Sequence, residues 1–359
     1  MRCFSVVITP DGIQMTWQVS RQLRKVASLW MILLLFSLAC RFSGSKSDQQ
    51  PALPTPAGLS SHVDTLRPGN HDLSLQVDGL TRAFILHVPP AVRQGQSLPL
   101  LIVLHGGGGT GQKMQRFLGF DSFADQRGFY VAYPDSYQPP GAGGTSHWND
   151  GRGTEKTSGI DDVKFLLEMV AAIGRRAPLD VSRVYATGAS NGGMMTYRLG
   201  CETQGVFAGI APVIANIPQP VFETCQPTAP LSFLAVNGSA DPLIPLEGGE
   251  VCKGIRVGCA GGQVVSQTES VGLFAAANGC DSHPQSIILP VEVEDGTFAE
   301  QRTYANCANG AQVVAYIVHN GGHTWPPRPG QLPAAGAQSR NLDATRLIVE
   351  FFFPIRNSP

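Results

Sequence analysis

The stretch RVYATGASNGGMMTYRL, from Arg183 to Leu199, constrains this chain more than any other. Val184, Tyr185 and Ala186 read as a short buried strand, and Met194, Met195, Tyr197 and Leu199 as the apolar face of a helix that begins there. Between them lies Gly188-Ala189-Ser190-Asn191-Gly192, a G-x-S-x-G. A serine at so sharp a strand-to-helix turn sits in strained backbone, and small neighbours let the two arms pass closely. The pattern alone is weak, so its surroundings must decide.

Those surroundings alternate. TRAFILHVP, LPLLIVLHG and GFYVAYPD read as strands. DDVKFLLEMVAAIG places Val163, Leu166, Leu167, Val170 and Ile173 on one helix face, with Asp161 or Asp162 positioned to cap it. The RVYATG strand, the helix after Ser190, the LSFLAV and QVVAYIV strands and a final helix over NLDATRLIVEFFF follow. Strands alternating with helices predict an α/β domain, a mostly parallel sheet covered on both faces. The Gly- and Cys-rich stretch from Glu247 to about Gly279 reads as an insertion over the sheet's edge.

Upstream of this domain the chain changes character. Arg21, Arg24 and Lys25 precede the apolar run LWMILLLFSLAC, too short to span a bilayer comfortably, so residues 1–40 read as an export signal. Met15 reads as an alternative start. Ser37-Leu38-Ala39-Cys40 resembles a lipoprotein box with Ser37 where Leu is usual; a lipid on Cys40 would be the only membrane attachment expected. Residues 41–65 are polar and Pro/Ser-rich, a disordered tether, leaving 66–359 as the catalytic domain. A formal net charge of −1 argues against nucleic acid as a partner, since little here could neutralise a run of phosphates. Export makes the cysteines interpretable: Cys201, Cys225, Cys252, Cys259, Cys280 and Cys307 suggest disulfides, and none has zinc-site spacing.

A serine hydroxyl is a poor nucleophile alone, so Ser190 needs a base, and the base an orienting acid. The LSFLAV strand runs into Asn237-Gly238-Ser239-Ala240-Asp241, which puts Asp241 just past a strand end. The QVVAYIV strand runs into His319-Asn320-Gly321-Gly322-His323. His319 still belongs to the strand, whereas His323 follows two glycines in a loop free to swing inward, so His323 is the expected base. His283 sits in a polar DSHP turn and reads as solvated. Leu104-His105-Gly106-Gly107-Gly108-Gly109 follows an apolar strand and would supply an oxyanion donor at Gly107, with the N–H of Asn191 as the second. No Lys-Ser/Thr follows the glycines, as a phosphate-binding loop would require.

LHGGGG, WNDGR, GIDDVKFL, RVYATGASNGGMMTYRLGC, FAGIAPV, NGSADPLIP, NGC and GGHTWP occur in this order from Leu104 to Pro326. Together they resemble the exported α/β-hydrolase esterases that group polyhydroxybutyrate depolymerase-like proteins with feruloyl and acetylxylan esterases. The resemblance implies Ser190 as nucleophile, Asp241 as acid and His323 as base, acting on a small or oligomeric carboxylic ester with no cofactor or metal. It also implies that Cys201 pairs with Cys225 and Cys280 with Cys307; Cys252 and Cys259 are close enough in the chain to close a third, local loop. Asn237 stands where a His is usual and Phe274 where a Trp is, departures expected to alter the pocket lining. The alternative is a catalytically silent surface-binding protein on the same fold, although no triad member is missing.

Two further residues read two ways. Trp148, in His147-Trp148-Asn149-Asp150, is either a substrate platform or a loop anchor. Trp325 either packs under the His323 loop or walls the site. No polymer-binding module is recognisable after the final helix, which favours soluble oligomers or acylated plant-wall fragments over crystalline polyester.

Overall fold

The computed structural model describes residues 5–9, 12–16, 66–138, 146–154, 159–228, 230–254, 261–329 and 335–355. The chain divides into two units, Met1–Ser61 and His62–Pro359. The described part of the first is an antiparallel hairpin of β1 (Ser5–Thr9) and β2 (Gly12–Thr16). Otherwise the expected export signal, Cys40 and the tether lie outside the described residues.

The second unit is built on ten strands: β3 (Gly69–Val77), β4 (Leu80–Val88), β5 (Leu98–Leu104), β6 (Tyr130–Pro134), β7 (Leu179–Ala189), β8 (Gly209–Val213), β9 (Ser232–Gly238), and, beyond a small ladder of β10 (Gly249–Glu250) and β11 (Gln263–Val264), β12 (Gln285–Ile288), β13 (Phe298–Tyr304) and β14 (Val313–His319). Their order is β12-β13-β14-β9-β8-β7-β5-β6-β4-β3. The strands from β14 to β6 run parallel, and an antiparallel pair closes each edge.

Sequence explains the placement of these strands. Every residue of β5 (LPLLIVL) is buried, the signature of a central parallel strand covered on both faces. The edge strand β3 instead alternates half-buried and exposed positions along most of its length. Period-two alternation sends Leu100, Ile102 and Leu104 into one core and Leu101 and Val103 into the other. The first core is covered by α3 (Asp162–Gly174) and α4 (Asn191–Glu202), through Phe165, Leu166, Met194 and Tyr197. The second is covered by α1 (Gly111–Leu118), α2 (Phe120–Arg127) and α7 (Ala344–Phe352), through Met114, Phe120, Ile348 and Phe352.

The two aspartates before α3 divide their tasks. Asp161 caps the helix by accepting from the Lys164 N–H at 2.9 Å. Asp162 is fully buried and paired at 2.5 Å with Arg82, itself buried, and its other oxygen accepts from the Asn149 N–H at 2.7 Å. Burial raises the Asp162 pKa, while the Arg82 charge pulls it back down.

The expectation of an insertion between Glu247 and Gly279 is corrected for its second half. There α6 (Gln267–Ala277) buries Val271 and Phe274, and Phe274 stacks on Phe233 of β9 at 4.8 Å. This is a covering helix of the sheet, opened by a capping box in which Ser266 and Glu269 satisfy each other's backbone N–H. Its apolar residues spread around the helix instead of forming one stripe, so periodicity gives no signal, and sequence reading missed the S-x-x-E box that marks its start. Disulfides join Cys201 to Cys225, near the end of α4, and Cys280 to Cys307. Cys252 is disulfide-bonded as well, while Cys259 lies outside the described residues.

Candidate active site

Three segments converge from the C-terminal ends of parallel strands. β7 ends at Ala189, and Ser190 follows at φ 57° and ψ −119° before α4 begins at Asn191. Such a conformation costs a non-glycine residue about 1–3 kcal/mol and persists only where its surroundings over-determine it. They do so here: the Ser190 N–H donates to the Val213 carbonyl at 3.0 Å, and the Ser190 carbonyl accepts from the Met194 N–H at 2.9 Å. The flanking glycines are required for space. A Cβ on Gly188 would lie 2.5 Å from the Gly192 oxygen, and one on Gly192 would lie 2.5 Å from the His105 oxygen.

Asp241 follows β9. Its Oδ1 accepts from the N–H groups of Leu243 and Ile244 at 2.8 and 2.9 Å, while Oδ2 faces His323 Nδ1 at 2.7 Å. With one oxygen held by backbone, the carboxylate can present only the other to the ring. His323 lies in the loop after β14, pinned by its N–H to the Ala335 carbonyl at 2.5 Å, and both side chains are buried. Ser190 and His323 line a common cavity of about 120 Å³, together with Gly106 and Gly107 and the apolar side chains of Met114, Phe117, Ile214 and Trp325. Ile214 has φ 48°, an outlier for a β-branched residue, directly after β8.

The other candidates sort as follows. His319 is held at 2.9 Å by Glu300 and stacked on Phe298, and it lines a different cavity, with Ser239, Arg302 and Asp241, from the one that Ser190 and His323 share. His283 is exposed and bonded to the Ser282 hydroxyl. Trp325 combines its two readings: it lines the cavity, yet is only 3% exposed, donates its indole N–H to Thr345 and meets Phe120 edge-on. Trp148 is no platform. It is 1% exposed, and its indole N–H donates to the His105 carbonyl at 2.9 Å. Neither Asn237 nor Phe274 lines the cavity: Asn237 is buried against the Ala215 carbonyl and Asn216, and Phe274 lies in the α6 core. Their departures from the usual pattern are therefore matters of packing and leave the lining unchanged.

Sequence reading missed the network behind the glycine loop. The Ser136 N–H donates to His105 Nε2 at 3.1 Å, so Nδ1 carries the ring proton and donates to the Gly106 carbonyl at 2.8 Å. Burial holds the His105 pKa below its ordinary value, keeping the ring in that neutral tautomer. The Asn191 side chain accepts from the Trp148 N–H at 2.7 Å and donates to the Trp148 carbonyl and to Asp150. Asp150 is in turn paired with the buried Arg152 at 2.8 Å. The His147 ring lies against Gly107, where a Cβ would come within 2.7 Å of its Nε2. Asn191 also opens α4, and the leading N–H groups of a helix have no acceptor within it. The positive end of the helix dipole meets Ser190 there.

Comparison with known proteins fits this geometry. Residues 82–217 match the family model described as Esterase PHB depolymerase. The chain is 32% identical over 345 residues to NocK of Nocardia uniformis subsp. tsuyamanensis, a protein named as an esterase, covering 90% of this chain and 97% of that one. It is 27% identical over 246 residues to feruloyl esterase B of Piromyces equi, covering 67% of this chain but only 42% of that larger protein. Among solved structures, the acetyl xylan esterase from Aspergillus awamori superposes with a TM-score of 0.52 at 16% identity, over 72% of this chain and 95% of that one, a likeness of fold. Matched at 32% identity along nearly the whole of NocK, the chain belongs to the PHB-depolymerase family of esterases and is a carboxylic ester hydrolase with the α/β-hydrolase fold.

Proposed function

We propose that this hydrolase is an exported serine esterase that cleaves short-acyl esters through an acyl-enzyme on Ser190. The observation that carries the reading is the 2.7 Å contact between His323 Nδ1 and Asp241 Oδ2, with His323 and the strained Ser190 lining one cavity. Asp241 accepts a hydrogen bond from the Nδ1–H of His323 and so holds the proton on Nδ1, which leaves Nε2 as the proton acceptor. Ser190 Oγ attacks the ester carbonyl and gives its proton to Nε2. The N–H groups of Asn191 and Gly107 receive the developing oxyanion. Collapse expels the alcohol, which takes the proton back from His323, and water then repeats the sequence on the acyl-enzyme.

Cavity size narrows the acyl group. A volume of about 120 Å³ with a mainly apolar lining suits an acetyl or hydroxybutyryl group. It is well below the roughly 300–1,000 Å³ of pockets that enclose drug-sized ligands. A ferulate ring fits such a space poorly, so acetylated saccharides or hydroxyalkanoate oligomers are the favoured substrates. Disulfides at Cys201–Cys225 and Cys280–Cys307 support an oxidising, exported location, with a lipid on Cys40 as the proposed means of retention at the cell envelope.

The test is turnover of a chromogenic acetyl ester by the wild type and by Ser190→Ala, followed by a panel of acetylated xylan oligomers, hydroxybutyrate oligomers and methyl ferulate. Turnover that survives Ser190→Ala would overturn the mechanism, and no turnover by the wild type would leave a binding protein. Preference for methyl ferulate would overturn the acyl assignment alone.

A further inference from the structure

Another cavity, far larger than the one at Ser190, lies elsewhere on the domain. It measures about 700 Å³, and Arg67, Arg93, Arg175 and Arg176 all line it, with no acidic residue among its lining. Among the described residues none of the four side chains has an ion-pair partner. On a chain of net charge −1, four unneutralised guanidinium groups around one hollow are a strong local departure. Helix electrostatics account for part of it. Arg175 and Arg176 follow the C-terminus of α3, where cations are favoured. Arg67 precedes β3, and Arg93 lies in the short turn before β5, so neither is drawn there by α3.

Topology fixes which end of the strands carries this cavity. Pro68, Gly95 and Pro178, also in its lining, stand just before β3, β5 and β7. β5 and β7 are parallel, so their starts share one end of the sheet, the edge formed by strand starts. Ser190 follows the opposite end of β7, eleven residues long, which places the cavity roughly 30–40 Å from the nucleophile at the usual strand rise. The chain preceding the domain joins it at this same edge, where the Leu66 N–H donates to the Arg176 carbonyl at 3.3 Å. That preceding chain carries the basic cluster and the apolar run ending at Cys40.

We propose that the arginine cavity docks the phosphodiester headgroups of an anionic bilayer. It would hold the end of the sheet where the domain's chain enters against the membrane and leave the Ser190 end facing away. Guanidinium groups pair with phosphate oxygens in a fixed fork, and planar, doubly bonded pairing suits a headgroup layer better than a diffuse basic face would. Each arginine near an anionic surface contributes about fivefold in partitioning, so the four together are worth roughly 10²–10³-fold at low salt.

The full chain is tested by partitioning between vesicles of phosphatidylcholine alone and vesicles that also contain phosphatidylglycerol. The readout is the ratio of the two partition coefficients, in which any contribution of the N-terminal apolar run to both vesicle types cancels. The expected result is a ratio well above one that collapses by roughly 10²–10³-fold in the Arg67→Ser/Arg93→Ser/Arg175→Ser/Arg176→Ser variant, and in wild type at high salt. Hydrolysis of a soluble acetyl ester reports that the variant is folded. If the fourfold variant is inactive, Arg67→Ser/Arg93→Ser and Arg175→Ser/Arg176→Ser are measured separately, each lowering the ratio by roughly 30-fold. Equal ratios for wild type and variants would overturn the proposal. So would arginine-dependent binding of free glycerol phosphate that vesicles do not enhance, because the site would then serve a small phosphate ester and not a surface.

Discussion

Replacing Ser190 by glycine should stabilise the protein relative to replacing it by alanine, although both changes abolish turnover. Ser190 occupies φ 57° and ψ −119°, outside every region that an L-residue favours. Alanine retains the Cβ and hence the strain, whereas glycine removes it, worth about 1–3 kcal/mol. Against this, glycine enlarges the conformational freedom of the unfolded chain, a cost of about 0.5–1 kcal/mol. Little packing is lost, because Ser190 faces the cavity and its backbone bonds to Val213 and Met194 do not involve the side chain. The balance favours glycine by about 1 kcal/mol, within a range of roughly 0–2.5. In a domain of this size that is about 2 °C in Tm, small but resolvable by calorimetry with the disulfides intact, and chemical denaturation with matched slopes gives the same comparison at 25 °C. If Ser190→Gly proved less stable than Ser190→Ala by more than about 0.5 kcal/mol, the elbow would not be storing strain, and the argument from its dihedral angles would fail.

Four further outcomes follow from named contacts. Asp241→Asn should lower kcat by about 10³–10⁴ while leaving the fold intact, because the amide oxygen still accepts from Leu243 and Ile244 but no longer fixes the His323 tautomer; steady-state kinetics with an acetyl ester decide it. Ile214→Ala should widen the cavity and relieve a β-branched residue at φ 48°, raising the butyryl-to-acetyl ratio of kcat/KM, and an unchanged ratio would remove Ile214 from the acyl wall. Glu300→Gln should cost roughly 1–3 kcal/mol near neutrality. Arg302 first, and His319 second, hold the Glu300 carboxyl down at about 2; its stabilisation is thus complete above the ordinary carboxylate value and lost as pH falls toward about 2, so the two unfolding curves should converge on acidification. Replacing both Cys201 and Cys225 by serine removes a link across a separation of 24 residues and should cost about 3 kcal/mol, read as a lower Tm under non-reducing conditions.

What could be read from sequence was whatever leaves a local mark. β5 announced itself because every residue of LPLLIVL is buried, and α3 because its apolar residues fall on one face. The elbow was legible because its G-x-S-x-G falls between a strand-like run and an apolar helix face. β13 was not legible: FAEQRTY carries Glu300 and Arg302 on an edge-side strand whose polar residues pair with one another, so no apolar alternation advertises it. The choice between His319 and His323 could be argued from loop position. What occupies His319 could not, because Glu300 lies nineteen positions away and meets it only through strand pairing. Asp161 and Asp162 were indistinguishable for a related reason. The partner that separates them, Arg82, is eighty residues distant.

The same limit explains why the segment around Trp148 could be read as an exposed platform, and its buried position carries a mechanistic consequence. The two proposed oxyanion donors belong to different elements, Gly107 to the loop after β5 and Asn191 to the start of α4, so their relative position needs a third part to fix it. Trp148 bridges them: its indole N–H holds the His105 carbonyl, and its backbone holds both ends of the Asn191 amide. The neutral His105 ring braces the Gly106 carbonyl from behind, and Ser146 accepts from the Gly108 N–H through its carbonyl at 2.7 Å while its hydroxyl donates to the Gly109 carbonyl at 2.6 Å. Every one of these bonds exists before substrate arrives. Donors held in this way need no reorganisation as negative charge develops, which is where electrostatic catalysis gains most over water. On the proposed mechanism, a tryptophan buried behind the glycine loop therefore acts on the ester without touching it, by deciding where two backbone N–H groups point.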